Sequence, residues 1–143
     1  MQTTDKILDI LNTMATGSDG LQTVLYESGF GANVRLDRRP TPAAIVYMLK
    51  SWELDTSTKL KHPEVDVEVF FCDRCDLAAK GEVIKDKMDT IEPIVDEFIS
   101  ILLADKSIIV NKIRATTAYG RFDCNVCGYS LQFTVRDRQG QCL

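Results

Sequence analysis

The sequence is short of the residues from which most catalytic centres are built. It holds one histidine, one tryptophan and four prolines in 143 residues. The histidine, His62, stands beside Pro63 in what reads as a turn, where an imidazole is normally solvated. No GxGxxG or GxxxxGK[S/T] stretch is present, so neither of these phosphate-cradling loops is encoded. "GFGANV" has two glycines, but nothing after it reads as a helix whose N-terminus would hold a phosphate. No serine or cysteine sits in a nucleophile-elbow context. No apolar run approaches the roughly 20 residues of a membrane-spanning helix. Basic residues do not predominate: 17 Lys and Arg face 21 Asp and Glu, for a net charge of -4. That balance argues against a nucleic-acid-binding face, which normally shows as a clustered basic patch. The opening "MQTTDKILDILNTMA" lacks the basic start of a signal peptide, and the expectation is a cytosolic setting.

What is present describes a globular domain. Hydrophobic residues make up 45% of the chain and charged residues 27%. The length suits one domain over residues 1–143, large enough to hold a core without staples. Asp5 to Met14 reads as a short amphipathic helix, with Ile7, Leu8, Ile10, Leu11 and Met14 at helical spacing. Gly17 to Gly20 breaks it. Leu21 to Tyr26 fits a short strand or a second helical turn. Pro40 and Pro42 favour an extended approach to the next element. From Ala44 past Trp52 the chain reads as a strand, with Ile45, Tyr47 and Leu49 on one face and Val46, Met48 and Lys50 on the other. "KHPEVDVEVFF" alternates more cleanly: Val65, Val67, Val69 and Phe71 point one way, and Glu64, Asp66 and Glu68 the other. This is the pattern of a half-buried antiparallel strand.

One long helix is predicted from about Ala79 to Ala104. Its stripe is Val83, Ile84, Met88, Ile91, Val95, Phe98, Ile101 and Leu102. Pro93 is expected to kink or split it. "SIIVNKIRATTAY" reads as the next strand. "VCGYSLQFTVRDRQ" reads as the last, with Tyr129, Leu131, Phe133 and Val135 on the buried side. Gly120 to Asn125 connects the two. The order implies an α+β fold: an antiparallel sheet with one long helix packed on a face and a short N-terminal helix.

Five cysteines remain to be explained. Four form two CxxC pairs, Cys72/Cys75 and Cys124/Cys127, and Cys142 lies near the end of the chain. Paired CxxC turns can offer zinc a tetrahedron of thiolates. Gly128 after Cys127 suits a zinc knuckle, whereas "CDRC" lacks the Pro or Gly that shapes one. The alternative is that these are small buried hydrophobes. Neither pair opens a helix after a strand, as a redox-active CxxC does. Among the charged residues, Glu64, Asp66 and Glu68 line one strand face, either solvated or turned to a partner or cation. Arg35, Arg38 and Arg39 form a small basic cluster. Arg114, Arg121, Arg136 and Arg138 alternate with Asp123 and Asp137, a mixture that suits a protein surface better than a nucleic-acid groove.

"RRPTPAAIVYMLKSWELDTSTKL", then "VDVEVFF", the long helix and "VCGYSLQFTVRDRQGQC" together resemble small neck and tail-completion proteins of tailed bacteriophages of gut bacteria, the tail-terminator type included. The resemblance spans Val34 to Cys142 and does not include the CxxC pairs. It implies a structural virion subunit that assembles as a homo-oligomeric ring at the head–tail neck or tail-tube end. Its partners would be other neck and tail proteins, with DNA passing the channel without specific binding and no membrane involved. It implies no enzyme, no catalytic residues, no cofactor and no metal ligands. A ring needs head-to-tail contacts, and the acidic row at Glu64, Asp66 and Glu68 could meet Arg35, Arg38 and Arg39 of a neighbour. The alternative is a small zinc-stabilised interaction module using the two CxxC pairs. An enzyme with an active site shared between subunits is a third reading.

Overall fold

The computed structural model describes residues 3–17, 20–26, 39–75, 81–121 and 126–142. In chain order the elements are α1 (Thr3–Gly17), β1 (Thr23–Tyr26), β2 (Ala43–Asp55), β3 (Leu60–Arg74), α2 (Gly81–Ala104), β4 (Ile108–Arg121), β5 (Val126–Asp137) and β6 (Gln141–Cys142). The fold is α+β, as the element order implied. Five strands lie side by side in the order β1-β2-β3-β5-β4, and β6 pairs with the start of β3. Every pairing is antiparallel except β1 with β2.

Alternation in β3 organises the sheet. Val65, Val67, Val69 and Phe71 are buried on one face. Their register partners on β2 are Lys50, Met48, Val46 and Ala44. On β5 they are Val135, Phe133, Leu131 and Tyr129. Both helices cover this face. α1 contributes Ile7, Leu11 and Met14, and α2 contributes Ile91, Ile94, Val95, Phe98 and Leu102. Phe98 is fully buried and pins α2 to two strands. Its ring lies 5.4 Å from that of Phe71 and 6.1 Å from that of Phe133, both tilted, as aromatic pairs prefer.

The expected stripe on α2 is trimmed. Val83 and Ile101 are exposed. At about 100° per residue both fall on the same flank of the buried line through Ile91, Val95, Phe98 and Leu102. Pro93 does not split the helix, which runs unbroken from Gly81 to Ala104. Pro93 is exposed, so water can serve the carbonyl that loses its donor.

Two turns share one device. In each, an aspartate accepts from the backbone N–H and hydroxyl of a serine two residues on. Asp55 Oδ1 is 3.0 Å from Ser57 N and 2.7 Å from its Oγ, at the β2–β3 turn. Asp105 Oδ1 is 2.9 Å and 2.6 Å from the same atoms of Ser107, between α2 and β4. Both carboxyls are held below the usual range, first by the serine hydroxyl. Lys59 completes the first turn with a φ of 58°.

His62 is not in a turn. It lies within β3, exposed, opposite Glu53 of β2. Two residues further along β3, Glu64 faces Arg136 of β5. The next pairing on that side is Lys61 with Gln141 of β6, so four residues, Asp137 to Gly140, separate the two pairings where β3 has only His62 and Pro63. Pro63 has no backbone donor to give a ladder.

Candidate functional site

The face of the sheet turned away from the helices divides into two halves. Near the end of β3, Phe70 and Cys72 join Leu25, Ala43, Ile45 and Val126 in a second buried apolar cluster. The other half is open. There Glu64, Asp66 and Glu68 form a row along β3. On the β2 side the row is flanked by Tyr47 and Leu49, large side chains that are 46% and 56% exposed. On the β5 side stand Gln132, Thr134 and Arg136, in register with Glu68, Asp66 and Glu64. One strand further out, Arg114 of β4 faces Gln132.

Across four strands the open face thus changes from apolar on β2 to acidic on β3, with Arg136 of β5 and Arg114 of β4 on the far side of the acids. Two hydrogen bonds fix the acidic row against β5. Thr134 Oγ1 donates to Asp66 Oδ1 at 2.7 Å, and Ser130 Oγ donates to Glu68 Oε1 at 3.3 Å. Glu64 and Arg136 stand directly opposite each other, the arrangement in which unlike charges stabilise a strand pair. A shallow groove of about 620 Å³ runs over these residues.

The acidic row is where the sequence pattern put it, on a solvated strand face. Two basic residues of the same chain, Arg114 and Arg136, share its face. Arg35 and Arg38 lie outside the described residues, and Arg39 is exposed, its carbonyl accepting from Arg74 Nη2 at 3.0 Å. Only the pairing of β3 with β5 and of β5 with β4 brings Arg114 and Arg136 to the face of the acids, and no local pattern announces that. Arg138 turns away and donates from Nε to the carbonyl of Lys106 at 2.8 Å.

Three of the four described cysteines collect at the opposite end of the sheet, while Cys142 lies in β6 beside Leu60. Cys72, Cys75 and Cys127 are buried and in no disulfide, and Cys124 is outside the described residues. Cys127 is in register with Asp73, and Cys72 with Gly128. Adjacent strand residues point to opposite faces. Cys72 therefore belongs to the second apolar cluster, while Cys127 shares a side with Asp73. Cys127 and Cys75 are hydrogen-bonded to each other. Burial pushes the Cys127 thiol up to about 12, helped by that bond and by the nearby Cys75 and Asp73. Such a thiol stays protonated at neutral pH, which does not favour nucleophilic attack. Among the described residues, no group of three or more His, Cys, Asp or Glu side chains is placed to hold a metal ion.

Asp73 has structural work at this end. Its Oδ1 accepts from Thr41 Oγ1 at 2.7 Å and from the N–H of Arg74 at 2.8 Å. Its Oδ2 lies 3.4 Å from Lys87 Nζ. It therefore ties the approach to β2 and the first turns of α2 to the end of β3. Gly128 is also explained without a knuckle. A Cβ there would lie 1.8 Å from the carbonyl oxygen of Phe71, so the glycine permits close approach of β5 to β3.

No protein-family model matches the chain. No curated protein matches it either. Among the described residues, no helix is long and apolar enough to cross a membrane.

Proposed function

We propose that this chain is a structural virion subunit of a tailed bacteriophage, forming a ring at the head–tail neck or tail-tube end and acting through protein–protein contacts. The observation that carries the proposal is the open half of the sheet. A face that sets Tyr47 and Leu49 beside three carboxylates and two arginines is suited to a protein partner. Complementary charge aligns such partners, and exposed aromatic and apolar groups supply contact area. Element order supports the same reading. Two long strands, a long helix and two further strands, within Val34 to Cys142, is the order that carries the resemblance to neck and tail-completion proteins.

The mixture of charges on the face also bears on DNA. Arg114 and Arg136 share the face with Glu64, Asp66 and Glu68, so among the described residues the face has no continuous basic track to hold phosphates. DNA passing such a surface would slide instead of binding. The zinc-module alternative has less support, because Cys72 faces away from Cys127. An antibody raised against the purified chain should label the junction of head and tail, or the tail end, in phage particles. Particles that lack the chain altogether would overturn the proposal.

A further inference from the structure

The sheet ends in two long edges. β1 pairs only with Ala43 to Val46 of β2, so among the described residues no strand covers the outer edge of β2 from Tyr47 to Asp55. On the far side, β4 is a 14-residue strand paired only with β5. Both edges are exposed on both faces. On β2 this holds from Leu49 to Glu53, with Trp52 53% exposed, and on β4 from Arg114 to Thr117. Long edges of this kind are templates for pairing with another chain unless they are blunted. A bulge at Asn111 and Lys112 interrupts β4 near its start, but the strand pairs regularly with β5 from Ile113 to Tyr119.

We infer that the outer edge of β2 in one copy pairs antiparallel with the outer edge of β4 in the next copy, continuing the sheet from subunit to subunit. The inference rests on the ring proposal and names the surface it would use. Direction follows from the fold. β2 is antiparallel to β3, β3 to β5 and β5 to β4, so β2 and β4 run antiparallel across one sheet. A neighbour continuing that sheet presents its β2 antiparallel to β4.

Charge and size select a register. Setting Glu53 opposite Arg114 puts both on the open face, and Asp55 then falls beside Lys112. In that register Leu54 meets Ile113, both half-buried and both on the helix-covered side. Trp52 meets the small exposed Ala115, and Leu49 meets Ala118. Leu49 and Trp52 each gain a small partner, and Glu53 and Asp55 each gain a cation. The contact is head-to-tail, so it closes into a ring or runs on as a filament according to the rotation per subunit.

The test reverses one charge on each edge. Glu53→Arg and Arg114→Glu change exposed side chains, and both variants should unfold at the parent's urea midpoint. By native mass spectrometry across a concentration series, each alone should weaken assembly about tenfold or more, as expected when an attractive pair becomes repulsive. An equimolar mixture of the two should reassemble where either alone does not, because every interface between unlike variants then holds one Arg and one Glu. Folded variants that assemble like the parent, or a mixture that stays dissociated, would overturn this contact while leaving the ring proposal intact. A parent that is monomeric at every concentration would also overturn it, and antibody labelling of particles then decides the virion proposal on its own.

Discussion

Replacing Gly128 with alanine separates a strand-packing role from a metal-knuckle role. The added Cβ would sit 1.8 Å from the Phe71 carbonyl oxygen and 2.8 Å from both Phe71 C and Cys72 Cα. All three are backbone atoms, so no side chain can swing aside. Relief requires β5 to move from β3 by over an ångström, against a normal strand spacing of about 4.8 Å. The ladder bonds on either side of the site would stretch beyond useful length, at a net cost of about 1 kcal/mol each. Disturbed packing around the buried Val126 and Cys127 adds to this. The sum is about 2–4 kcal/mol, at the upper end for single substitutions. With a slope near 2 kcal/mol per molar urea, the unfolding midpoint should fall by about 1–2 M. The loss should be the same with and without a chelator. Gly17→Ala and Gly81→Ala are controls, since nothing lies within 4 Å of either new methyl group; both should stay within about 0.5 kcal/mol of the parent or gain slightly. A Gly128→Ala protein as stable as the parent would refute the close-approach account. A loss seen only when zinc is present would return the glycine to a metal knuckle.

Phe98→Ala should cost about 3–5 kcal/mol, because it empties the centre of the core between Phe71 and Phe133; a urea titration showing under 1 kcal/mol would mean that α2 is not anchored there. Cys127 should make stability fall as pH rises from about 9 towards 12. The sign follows from its raised folded value: the unfolded thiol gives up its proton first, so the folded state holds more protons in that window and loses ground. In native protein at neutral pH, Cys127 should resist alkylation by iodoacetamide until denaturant is added, as peptide mapping would show; rapid labelling would contradict its burial.

The β3 alternation made the half-buried sheet legible, because a period of two has one structural meaning when it persists over eight residues or more. The strand at Ala44 and the α2 stripe were equally plain. What could not be read has a common physical cause, which is that it depends on pairing between distant segments. β1 is four residues long, and its parallel partner is set by which edge of β2 it reaches. β6 is two residues long and is defined only by where it meets Leu60 and Lys61. Val83 and Ile101 matched a helical period, yet lie on its flank, where no strand covers them. Spacing pairs Cys72 with Cys75 and Cys124 with Cys127, but the register of β3 and β5 sets Cys72 and Cys127 on opposite faces of the sheet. The acidic row was visible from one strand alone. Its setting beside Arg114 and Arg136 needed the order β3-β5-β4.

Self-assembly is the claim on which the functional account depends, and the native mass of the purified protein tests it most directly. Native mass spectrometry with and without a chelator should give one closed oligomer, unchanged by the chelator and carrying no metal adduct. A monomer holding a single zinc ion, unfolding when that ion is removed, would contradict the ring and put the paired cysteines in its place.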